Sequence, residues 1–516
     1  MGLHRRLIAG SAALFIGALG FLTSAPVSAA VPSSCLVNST GDELNANTAV
    51  GCNSTAGTVT LRSALELFNA NPGANSVLFN LPSPSVITLA NGELPVNDAG
   101  TITITGPGAR NLAIDGNAVG RVFEINPEGS VTANISGVTI RNGNAGRGPG
   151  GGVDIGRHAT VTLDKVTITG NVAYSGGGIG HDGESLTVTN STLSNNSITD
   201  SGNGCYAGAA MDTRGAAVTT FVNDTVTGNI SSDSCSTGGT INTCDTATFT
   251  NVTISGNSGP GGALFFFRTC NPTTLKNSIL ANQTGSAVCV GTITAITDGG
   301  SNLDSDNSCG FTTTGPTFDL INTDPMLAGL ANNGGPTNTL ALKSGSPAID
   351  AVKNTCPDPS TDQRGLSRPQ GSACDIGAFE FSALKVTSVT ASCGPVAGGG
   401  SVTITGSGFL GATSVKFGGV AAQSFTVVSD TQINAVAPAG QSGQQVDITV
   451  TTPAGTSTTG SPDQCTYQVL AVTLPKAGEV SAPTSGSPMG PLVVMAVALL
   501  VAAALVSIRE FRLPAE

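Results

Sequence analysis

Val166-Thr-Ile-Thr-Gly-Asn171 is one copy of a short phrase that occurs six times between residues 138 and 282. The other copies are Val138-Thr-Ile-Arg-Asn142, Ser191-Thr-Leu-Ser-Asn-Asn196, Asp224-Thr-Val-Thr-Gly-Asn229, Val252-Thr-Ile-Ser-Gly-Asn257 and Ser278-Ile-Leu-Ala-Asn282. We assign their apolar centres to Ile140, Ile168, Leu193, Val226, Ile254 and Ile279, which lie 25 to 33 residues apart. This period is typical of a solenoid, because each unit is too short to bury a core without stacking on its neighbours.

The composition of the repeat favours strands over helices. β-Branched residues alternate with other residues in short runs such as Thr160-Val-Thr-Leu163, and Gly-Asn pairs follow them as corners. Asparagine tolerates left-handed corner geometry, and its amide can pair with an equivalent residue in the next coil. The repeat therefore predicts a parallel β-helix. An array of antiparallel β-sandwiches is the alternative, but sandwiches do not repeat one phrase so regularly.

The chain is long enough for two or three domains, and its first residues have the pattern of a secretion signal. In residues 1–30, Arg5 and Arg6 precede an apolar stretch, and small residues follow up to Ala30. The whole chain has a net charge of −12, and removal of this segment would make it more acidic. Such a charge argues against nucleic acid and anionic membrane surfaces as partners.

All twelve cysteines follow the predicted signal, which indicates disulfides in an exported protein. No Cys-x-x-Cys motif occurs, and only His158 and His181 follow the signal, so we expect no zinc site and no other cofactor. Local pairing predicts the disulfides Cys35–Cys52, Cys289–Cys309, Cys356–Cys374 and Cys393–Cys465. The pairing of the remaining four is left open: Cys205, Cys235, Cys244 and Cys270.

A short amphipathic helix is expected before the repeats. Leu61, Leu65 and Phe68 recur at helical spacing, and Pro72-Gly73 ends the pattern. A helix at this place would cap the first coil, whose open edge otherwise invites aggregation.

Both ends of the repeat region resemble a known group of proteins. The Leu61-Arg-Ser-Ala-Leu65 helix, together with Ile104-Thr-Gly-Pro-Gly108 and Ile114-Asp-Gly116, resembles the opening of bacterial surface β-helix proteins with a Cys-Ser-Leu-Arg-Glu-Ala type start. Thr60 and Ser63 stand where Ser and Glu are usual.

The downstream end of the repeat region has a more specific series of motifs. They are, in order, Asp324-Pro-Met-Leu327, Asn333-Gly-Gly-Pro-Thr-Asn-Thr339, Gly345-Ser-Pro-Ala-Ile-Asp350, Asp362-Gln-Arg-Gly365, Arg368-Pro369 and Cys374-Asp-Ile-Gly-Ala-Phe-Glu380. This series closely resembles the choice-of-anchor Q domain, and the resemblance covers about residues 52–381. It implies a right-handed β-helix on an exported bacterial protein, and it implies no catalytic residues.

Two polar clusters near this end have a structural and a functional interpretation. The first cluster comprises Asp362, Arg364, Arg368 and Asp375. We interpret it as an ion-paired terminal cap rather than an active site, because no cleft chemistry accompanies these residues. The acidic stretch from Asp298 to Asn307 superficially suggests a calcium loop, but it lacks the ligand spacing and terminal Glu of an EF-hand. We interpret it as a turn closed by Cys289–Cys309.

Residues 384–468 have a different pattern, of short strands without the repeat. Segments such as Gly398-Gly-Gly-Ser-Val402 and Val446-Asp-Ile-Thr-Val450 predict a small immunoglobulin-like β-sandwich. Their order resembles the IPT/TIG domain. In exported proteins this resemblance implies a spacer or a binding module.

The C-terminal segment has the features of an anchor. A Ser/Pro/Gly-rich linker contains Leu474-Pro475-Lys476-Ala477-Gly478, and residues 491–508 form an uncharged apolar span that predicts a transmembrane helix. Basic residues follow, and the whole order resembles a sortase sorting signal. Ala477 occupies the usual threonine position, so a plain membrane anchor is the alternative to sortase as the partner of this segment.

Because many parallel β-helices cleave polysaccharides, the Gly-rich corners contain candidate catalytic residues. If the corners are in register, one face holds Asp154, Asp182, Asp212, Arg157, Arg214 and Arg268. Carboxylate pairs serve glycosidases, and a basic residue with calcium-binding carboxylates serves lyases. We favour a solvated face with ion pairs between coils, because three Tyr and no Trp offer little aromatic surface to sugars.

The sequence therefore predicts an all-β, exported, surface-anchored protein that binds an extracellular glycan or protein without catalysis. A polysaccharide lyase or glycosidase is the alternative, and a purely structural coat component is a third possibility. The predicted segments are the signal (1–30), cap and first coils (31–100), β-helix (101–381), sandwich (384–468), linker (469–490), membrane span (491–508) and tail (509–516).

Overall fold

A computed structural model describes residues 31–97, 99–125, 130–199, 207–213, 217–231, 239–243, 246–266, 272–291, 293–314, 317–353, 355–356 and 358–468. These residues form a parallel β-helix, a segment that folds back over it, and a small β-sandwich. The predicted all-β class is therefore confirmed. The predicted signal, sorting motif and membrane span lie outside the described residues.

Three parallel sheets form the walls of the β-helix, and the part of the chain described above supplies ten, eight and ten strands to them. Sheet 1 consists of Ser34–Val37, Ala74–Phe79, Thr101–Thr105, Val131–Ser136, Ala159–Asp164, Ser185–Thr189, Val218–Val222, Thr246–Thr250, Thr273–Lys276 and Ile296–Asp298. Sheet 2 consists of Leu94–Pro95, Phe123–Ile125, Val153–Ile155, Ile179–His181, Gly208–Thr213, Gly239–Asn242, Leu264–Phe266 and Cys289–Gly291. Sheet 3 consists of Ser85–Thr88, Leu112–Asp115, Thr139–Arg141, Thr167–Thr169, Thr192–Ser194, Thr225–Thr227, Thr253–Ser255, Ile279–Ala281, Leu303–Asp304 and Leu320–Ile321. A short parallel pair, Val172–Ala173 with Ser197–Ile198, and a 3-10 turn, Ile293–Ala295, lie at corners.

The repeated phrase supplies the strands of sheet 3, and its centres point into the core. Ile140, Ile168 and Leu193 are in register and fully buried. The assignment of Ile279 as the sixth centre was wrong, because Ile254 pairs with Leu280 and Ile279 pairs with Thr253. Ile279 instead lies on the outer side of sheet 3, among apolar residues of the segment that covers it.

The corner asparagines form a ladder inside the β-helix. The side-chain amides of Asn171, Asn196 and Asn229 each donate to the side-chain oxygen of the next ladder residue, at 3.0, 2.9 and 2.9 Å, and the series ends at Asn257. The residue before each ladder position has a positive φ, as in Asn195 at 54°. Equivalent corners use glycine, which adopts this conformation without steric strain. The predicted stacking of corner amides is therefore present.

The predicted N-terminal helix spans Leu61–Ala70 and covers the first coil. It begins with a capping box, in which the Thr60 side chain accepts from the Ser63 amide and the Ser63 side chain accepts from the Thr60 amide. Arg62 is buried and forms a 2.8 Å ion pair with Asp42. Ser63 thus performs the capping that a longer acidic residue performs in the motif it resembles.

Residues 325–381, called the covering segment below, do not continue the coils, although the sequence placed the β-helix up to residue 381. The last parallel strand of the β-helix is Leu320–Ile321, after which Leu327–Ala331 and Thr339–Leu342 form an antiparallel pair. The rest of the segment lies against the outer side of sheet 3, where Gln363 is 1% exposed. The Gln363 amide donates to the Ser191 carbonyl at 2.9 Å, and its oxygen accepts from the Thr225 hydroxyl at 2.6 Å.

The second domain is a sandwich of two sheets with its own core. The first sheet contains Lys385–Val389, Ser401–Ser407, Gln432–Val436 and Ser424–Ser429. The second contains Ser392–Pro395, Gln464–Gln468, Gln445–Thr452, Ser414–Phe417 and Val420–Ala421, with Gly455–Thr456 beside Gln445–Thr452. A 3-10 turn spans Ser461–Asp463. Phe409, Phe417 and Tyr467 fill the core.

The structure contains four disulfides within its described residues. They join Cys35 to Cys52, Cys289 to Cys309, Cys356 to Cys374 and Cys393 to Cys465, which are the pairs expected from the sequence. The other four cysteines lie outside the described residues. Disulfides in this number are typical of an oxidising, extracellular environment.

Candidate functional site

Sheet 2 carries a column of polar residues on its outer side. The register aligns Glu124 with Asp154, Asp154 with Gly180, and Gly180 with Asp212. Asp182 lies two residues beyond this column, so Gly180 occupies the place in register where a third aspartate would continue it. Arg214 and Arg268 lie outside the described residues. The structure therefore brings together only part of the face that the sequence indicated.

A groove of about 280 Å³ contains the other predicted residues. Asp154, Arg157 and Asp182 line it together with His181. Arg157 Nε lies 3.2 Å from Asp182 Oδ2, and the Arg157 side chain is 80% exposed. The pair therefore bridges two coils at the surface, as the interpretation of a solvated face with ion pairs between coils predicts.

His181 is buried beside this groove rather than presented to solvent. Its Nδ1 accepts a 3.3 Å hydrogen bond from the Gly183 amide. Burial lowers the pKa of His181 to about 4, although the neighbouring Asp182 acts in the opposite direction. His181 is therefore neutral at neutral pH, and it does not supply a positive charge to the groove.

Arg121 joins the acidic residues at the upstream end of the column, and sequence analysis did not identify it. Its Nη1 lies 2.9 Å from Glu124, 3.4 Å from Glu93 and 3.6 Å from Asp154. Partial burial raises the pKa of Glu93, while Arg121 lowers it and Glu124 raises it further. Glu124 could have been recognised from the sequence, because Phe123-Glu-Ile125 aligns with Val153-Asp-Ile155.

Asp212 is buried two coils away from Asp154. It is 2% exposed, and it accepts hydrogen bonds from the Ser175 hydroxyl and, at 2.7 Å, from the Asn242 amide. Alternate coils of a parallel sheet place backbones about 10 Å apart. Asp154 and Asp212 therefore do not form a pair of exposed carboxylates on this face.

The polar cluster of the covering segment is a buried structural network. Asp362 forms a 2.7 Å ion pair with Arg364, and Arg368 forms a 2.8 Å ion pair with Glu380. Burial, followed by the nearby Glu380, raises the pKa of Asp375 to about 7. These contacts fit the interpretation of the cluster as a cap.

The acidic loop that superficially resembled a calcium loop is held by its own backbone. Asp304 accepts from the Cys309 amide at 2.8 Å, and Asp306 accepts from the Val288 amide at 2.9 Å. Cys289–Cys309 closes the loop. Over the whole described part of the chain, no group of three or more His, Cys, Asp or Glu residues is arranged to hold a metal ion.

The outer side of sheet 1 presents a regular array of short polar side chains, called the threonine face below. Its central column, in register over eight coils, is Thr103, Asn134, Thr162, Thr187, Thr220, Thr248, Thr274 and Thr297. The flanking columns are Thr101, Thr132, Thr160, Ser185, Val218 and Thr246 on one side, and Thr105, Ser136, Asp164, Thr189, Val222, Thr250 and Lys276 on the other. At about 4.8 Å per coil, the central column is about 34 Å long.

Sheet 3 offers no comparable surface in its later coils. Thr192, Thr225 and Thr253 point outward but are buried under the covering segment. In these coils, the outer sides of sheets 1 and 2 are therefore the faces that remain for contact with another molecule.

Comparisons with known proteins identify the sandwich. Residues 384–469 match the IPT/TIG domain family, which confirms the predicted resemblance of the sandwich. A search of curated protein sequences finds no match. Among solved structures, the crystal structure of pectate lyase Pel9A aligns with 68% of this chain and 97% of its own, at 14% identity and a TM-score of 0.31. A likeness this weak carries no information about activity, and the resemblance to the choice-of-anchor Q domain stays a prediction.

A helix that crosses a membrane must be long and apolar. None of the helices in the described ranges is long and apolar enough to cross a bilayer. The apolar span at 491–508 lies outside those ranges.

Proposed function

We propose that this chain is an exported surface protein whose β-helix binds an extracellular ligand along the threonine face, without catalysis. One observation carries the proposal: eight successive coils present a short polar side chain in register, a threonine in seven of them and Asn134 in the other, on a side that the covering segment leaves open. A surface of this kind offers many weak, equivalent contacts, which suits broad attachment better than a single pocket does. The four disulfides support the extracellular location.

The ligand class follows from the charge and chemistry of this face. The chain is acidic overall, with a net charge of −12, yet its threonine face holds only Asp164 and Lys276 as charged residues. The central threonines form no side-chain hydrogen bond with another described residue, so their hydroxyls are available as donors and acceptors. An uncharged, hydroxyl-rich polymer such as a neutral polysaccharide matches this surface. A protein ligand is the second possibility.

Binding is tested with the purified full chain on neutral polysaccharides, acidic polysaccharides and protein ligands. We expect retention on neutral polysaccharides, and at least a tenfold loss when Thr187→Lys and Thr220→Lys are combined. The matched control places two lysines on the sandwich, at Ser424 and Thr426, which are exposed. Equal retention of both double variants, or no retention of the parent on any neutral polymer, would refute the proposal.

Polysaccharide cleavage is the second candidate, because the sheet 2 groove holds Asp154, Arg157 and Asp182 together. The burial of Asp212 argues against it, since no second exposed carboxylate faces Asp154 from that position. The measurement is the release of new reducing ends or unsaturated sugars, with and without calcium. We expect no release, whereas release that disappears in Asp154→Asn would establish an enzyme.

We also propose that the C-terminal segment anchors the protein, through a sortase at residues 474–478 or through the apolar span itself. The two routes differ in the mature C-terminus. Cleavage by a sortase would leave Ala477 covalently attached to the cell wall, whereas a membrane anchor would retain residues 491–508. Mass spectrometry of the C-terminal peptide from isolated cell envelopes distinguishes them.

A further inference from the structure

The threonine face is a two-dimensional array rather than a single row. Its register continues from Thr103 to Thr274 without a bulge, whereas the register of sheet 2 shifts between Gly208 and Met211. Side chains repeat at about 4.8 Å from coil to coil and at about 6.6 Å along each strand, because every second residue points outward. The three columns therefore cover a surface about 34 Å long and about 13 Å wide.

The core behind the face holds this array at a regular spacing. Between the outward residues, each strand sends an apolar residue inward, and the rings of Phe221 and Phe249 stack with their centroids 5.2 Å apart. The inward residues are buried and in register from coil to coil: Ile104, Ile135, Leu163, Val188, Phe221, Phe249 and Leu275. Because a close-packed core resists deformation, the spacing of the coils is set before any ligand binds.

The outward threonines are restrained as well. Six of the seven threonines in the central column are half-buried among their neighbours, and β-branching leaves each of them few side-chain rotamers. Their hydroxyl and methyl groups therefore lose little freedom when they contact a ligand. Lys276, at the downstream edge, is the one long side chain in the three columns, so the array is flat.

The one carboxylate among the three columns is neutralised by its neighbours. Asp164 lies 3.0 Å from the ammonium group of Lys165. It also accepts hydrogen bonds from the Thr189 hydroxyl at 2.8 Å and from the Asn190 side chain at 2.9 Å. The face therefore presents polar groups with almost no net charge, which favours an uncharged ligand.

Sheet 3 shows how outward threonines of this β-helix bind neutral oxygen groups. Thr192 and Thr225 are in register on neighbouring coils. The Thr192 hydroxyl donates to the Asn338 carbonyl, and the Thr225 hydroxyl donates to the side-chain oxygen of Gln363, both at 2.6 Å. The chain itself thus occupies the threonine column of sheet 3. The corresponding hydroxyls of sheet 1 remain for the neutral oxygens of another molecule.

A single dissolved polysaccharide chain would use only a small part of this array. A chain that lies along the axis contacts one column, and it loses conformational freedom when it binds. The three columns contain no aromatic side chain on which one sugar ring could stack. An ordered surface, whose chains are already fixed in parallel rows, contacts all three columns at once and loses no such freedom.

We propose that the threonine face binds the flat surface of a crystalline, uncharged β-1,4-linked glycan. Such a crystal presents rows of hydroxyl and ether oxygens, which match a flat array of uncharged donors and acceptors. This inference rests on the proposed function, because it specifies the ligand of the same face. Cellulose and chitin share this chemistry, and separate binding measurements distinguish them.

The first test compares one polymer in two physical states. The full chain is incubated with microcrystalline cellulose, with crystalline chitin and with the acid-swollen form of each, and the protein left in solution is measured. On cellulose or chitin, we expect the apparent affinity per accessible area to be at least about tenfold higher for the crystalline form. An excess of the soluble hexasaccharide of that polymer should not compete.

The second test asks whether the contact extends over more than one column. Thr246 and Thr248 lie on the same strand, Thr246 in a flanking column and Thr248 in the central column. A lysine at either position would hold a flat surface away, so Thr246→Lys and Thr248→Lys should each lower binding to the crystal by about tenfold. Thr426→Lys, at an exposed position of the sandwich, should bind like the parent chain.

The outcomes separate this inference from the proposed function. Equal binding to crystalline and swollen polymer, or competition by the hexasaccharide, would overturn the inference and leave binding by the face intact. A loss in Thr248→Lys that Thr246→Lys does not share would indicate contact with one column, and it would overturn the inference as well. No retention on any neutral polymer would refute both. If a lysine variant fails to fold, the comparison of crystalline with swollen polymer still decides, because it uses the parent chain.

Discussion

The side-chain amide of Asn171 donates a 3.0 Å hydrogen bond to the side-chain oxygen of Asn196, one coil further along the β-helix. Both residues are fully buried. Asn196 repeats the arrangement with Asn229, so each amide is held from both sides along the axis. A polar ladder inside an apolar solenoid sets the register of successive coils, because a one-residue slip would leave buried amides without partners.

Replacement of a ladder residue should therefore be costly. Asn196→Ala removes the amide that donates to the Ile168 carbonyl and to Asn229. It also removes the side-chain oxygen that accepts from the Asn171 backbone amide and, as one of two acceptors, from the Asn171 side-chain amide. We expect the free energy of unfolding to fall by about 2–4 kcal/mol, from unsatisfied buried groups. Chemical denaturation measures this loss. Asn195→Gly is the control, since glycine adopts the same positive φ in equivalent corners, and it should change the value by less than about 1 kcal/mol.

Replacement of Arg121 should make the free energy of unfolding depend more strongly on pH. Arg121 lowers the pKa of Glu93, which burial raises, so Arg121→Ala should raise that pKa further. A carboxyl group whose pKa is higher in the folded than in the unfolded state stabilises the folded state at low pH. This stabilisation is lost as the pH rises through the pKa of the folded state. We expect Arg121→Ala to match the parent chain near pH 4 and to be less stable at pH 7, by about 1 kcal/mol.

The control for this prediction is Arg157→Ala, which breaks a largely exposed ion pair with Asp182. It should change stability by less than about 0.5 kcal/mol at either pH. An equal loss for Arg121→Ala at both pH values would show that Arg121 acts by packing rather than by charge.

The parent chain should become less stable between pH 5 and pH 8. Burial raises the pKa of Asp375 to about 7 and that of Asp304 to about 6, against about 3.9 for an unfolded aspartate. The folded state then binds more protons than the unfolded state in this range, so the unfolding midpoint falls as pH rises through 6 and 7. Calorimetry at several pH values measures the slope. Asp375→Asn should reduce it, and a midpoint that rises over this range would contradict the prediction.

The covering segment should detach locally when Gln363 is replaced. The Gln363 amide donates to Ser191, Thr192 and Thr337, so Gln363→Ala leaves several buried groups unpaired. We expect hydrogen exchange over residues 325–381 to become roughly 10- to 100-fold faster. This change corresponds to a decrease of about 1.4–2.7 kcal/mol in the free energy of local opening. Gln370→Ala is the matched control, because the Gln370 side chain is exposed and bonds only within its own turn. Equal exchange in the two variants would show that other contacts hold the segment.

The repeated coils could be predicted, because the strands and corners of each coil are determined by residues that are close together in the sequence. The corner asparagines, the capping helix and the sandwich follow from spacing and residue type, and the four disulfides join cysteines close in sequence or at the two ends of one domain. The error at Ile279 has a physical cause, since an apolar residue faces outward there only because the covering segment buries it. Local pattern does not distinguish that environment from the core.

The candidate site was predictable only in part. Asp154, Arg157 and Asp182 do share a groove, but Glu93 and Arg121 come from corners that carry no repeat signal. Asp212 has the same register as Asp154, yet its burial depends on Ser175 and Asn242 from neighbouring coils. Whether a carboxylate on a periodic face is exposed thus depends on corner residues that vary from coil to coil.

The covering segment changes how the solenoid is expected to unfold. A simple stack of coils can fray from either end, because each coil contacts only its neighbours. Here Arg110 donates to the Thr337 carbonyl, and Asn277 donates to the Asp375 carbonyl, so one segment spans coils that lie far apart along the axis. Loss of a coil between them would break the contacts of the covering segment at both ends. The β-helix should therefore unfold cooperatively between Arg110 and Asn277. Limited proteolysis should detect only the intact β-helix or its fully cleaved products.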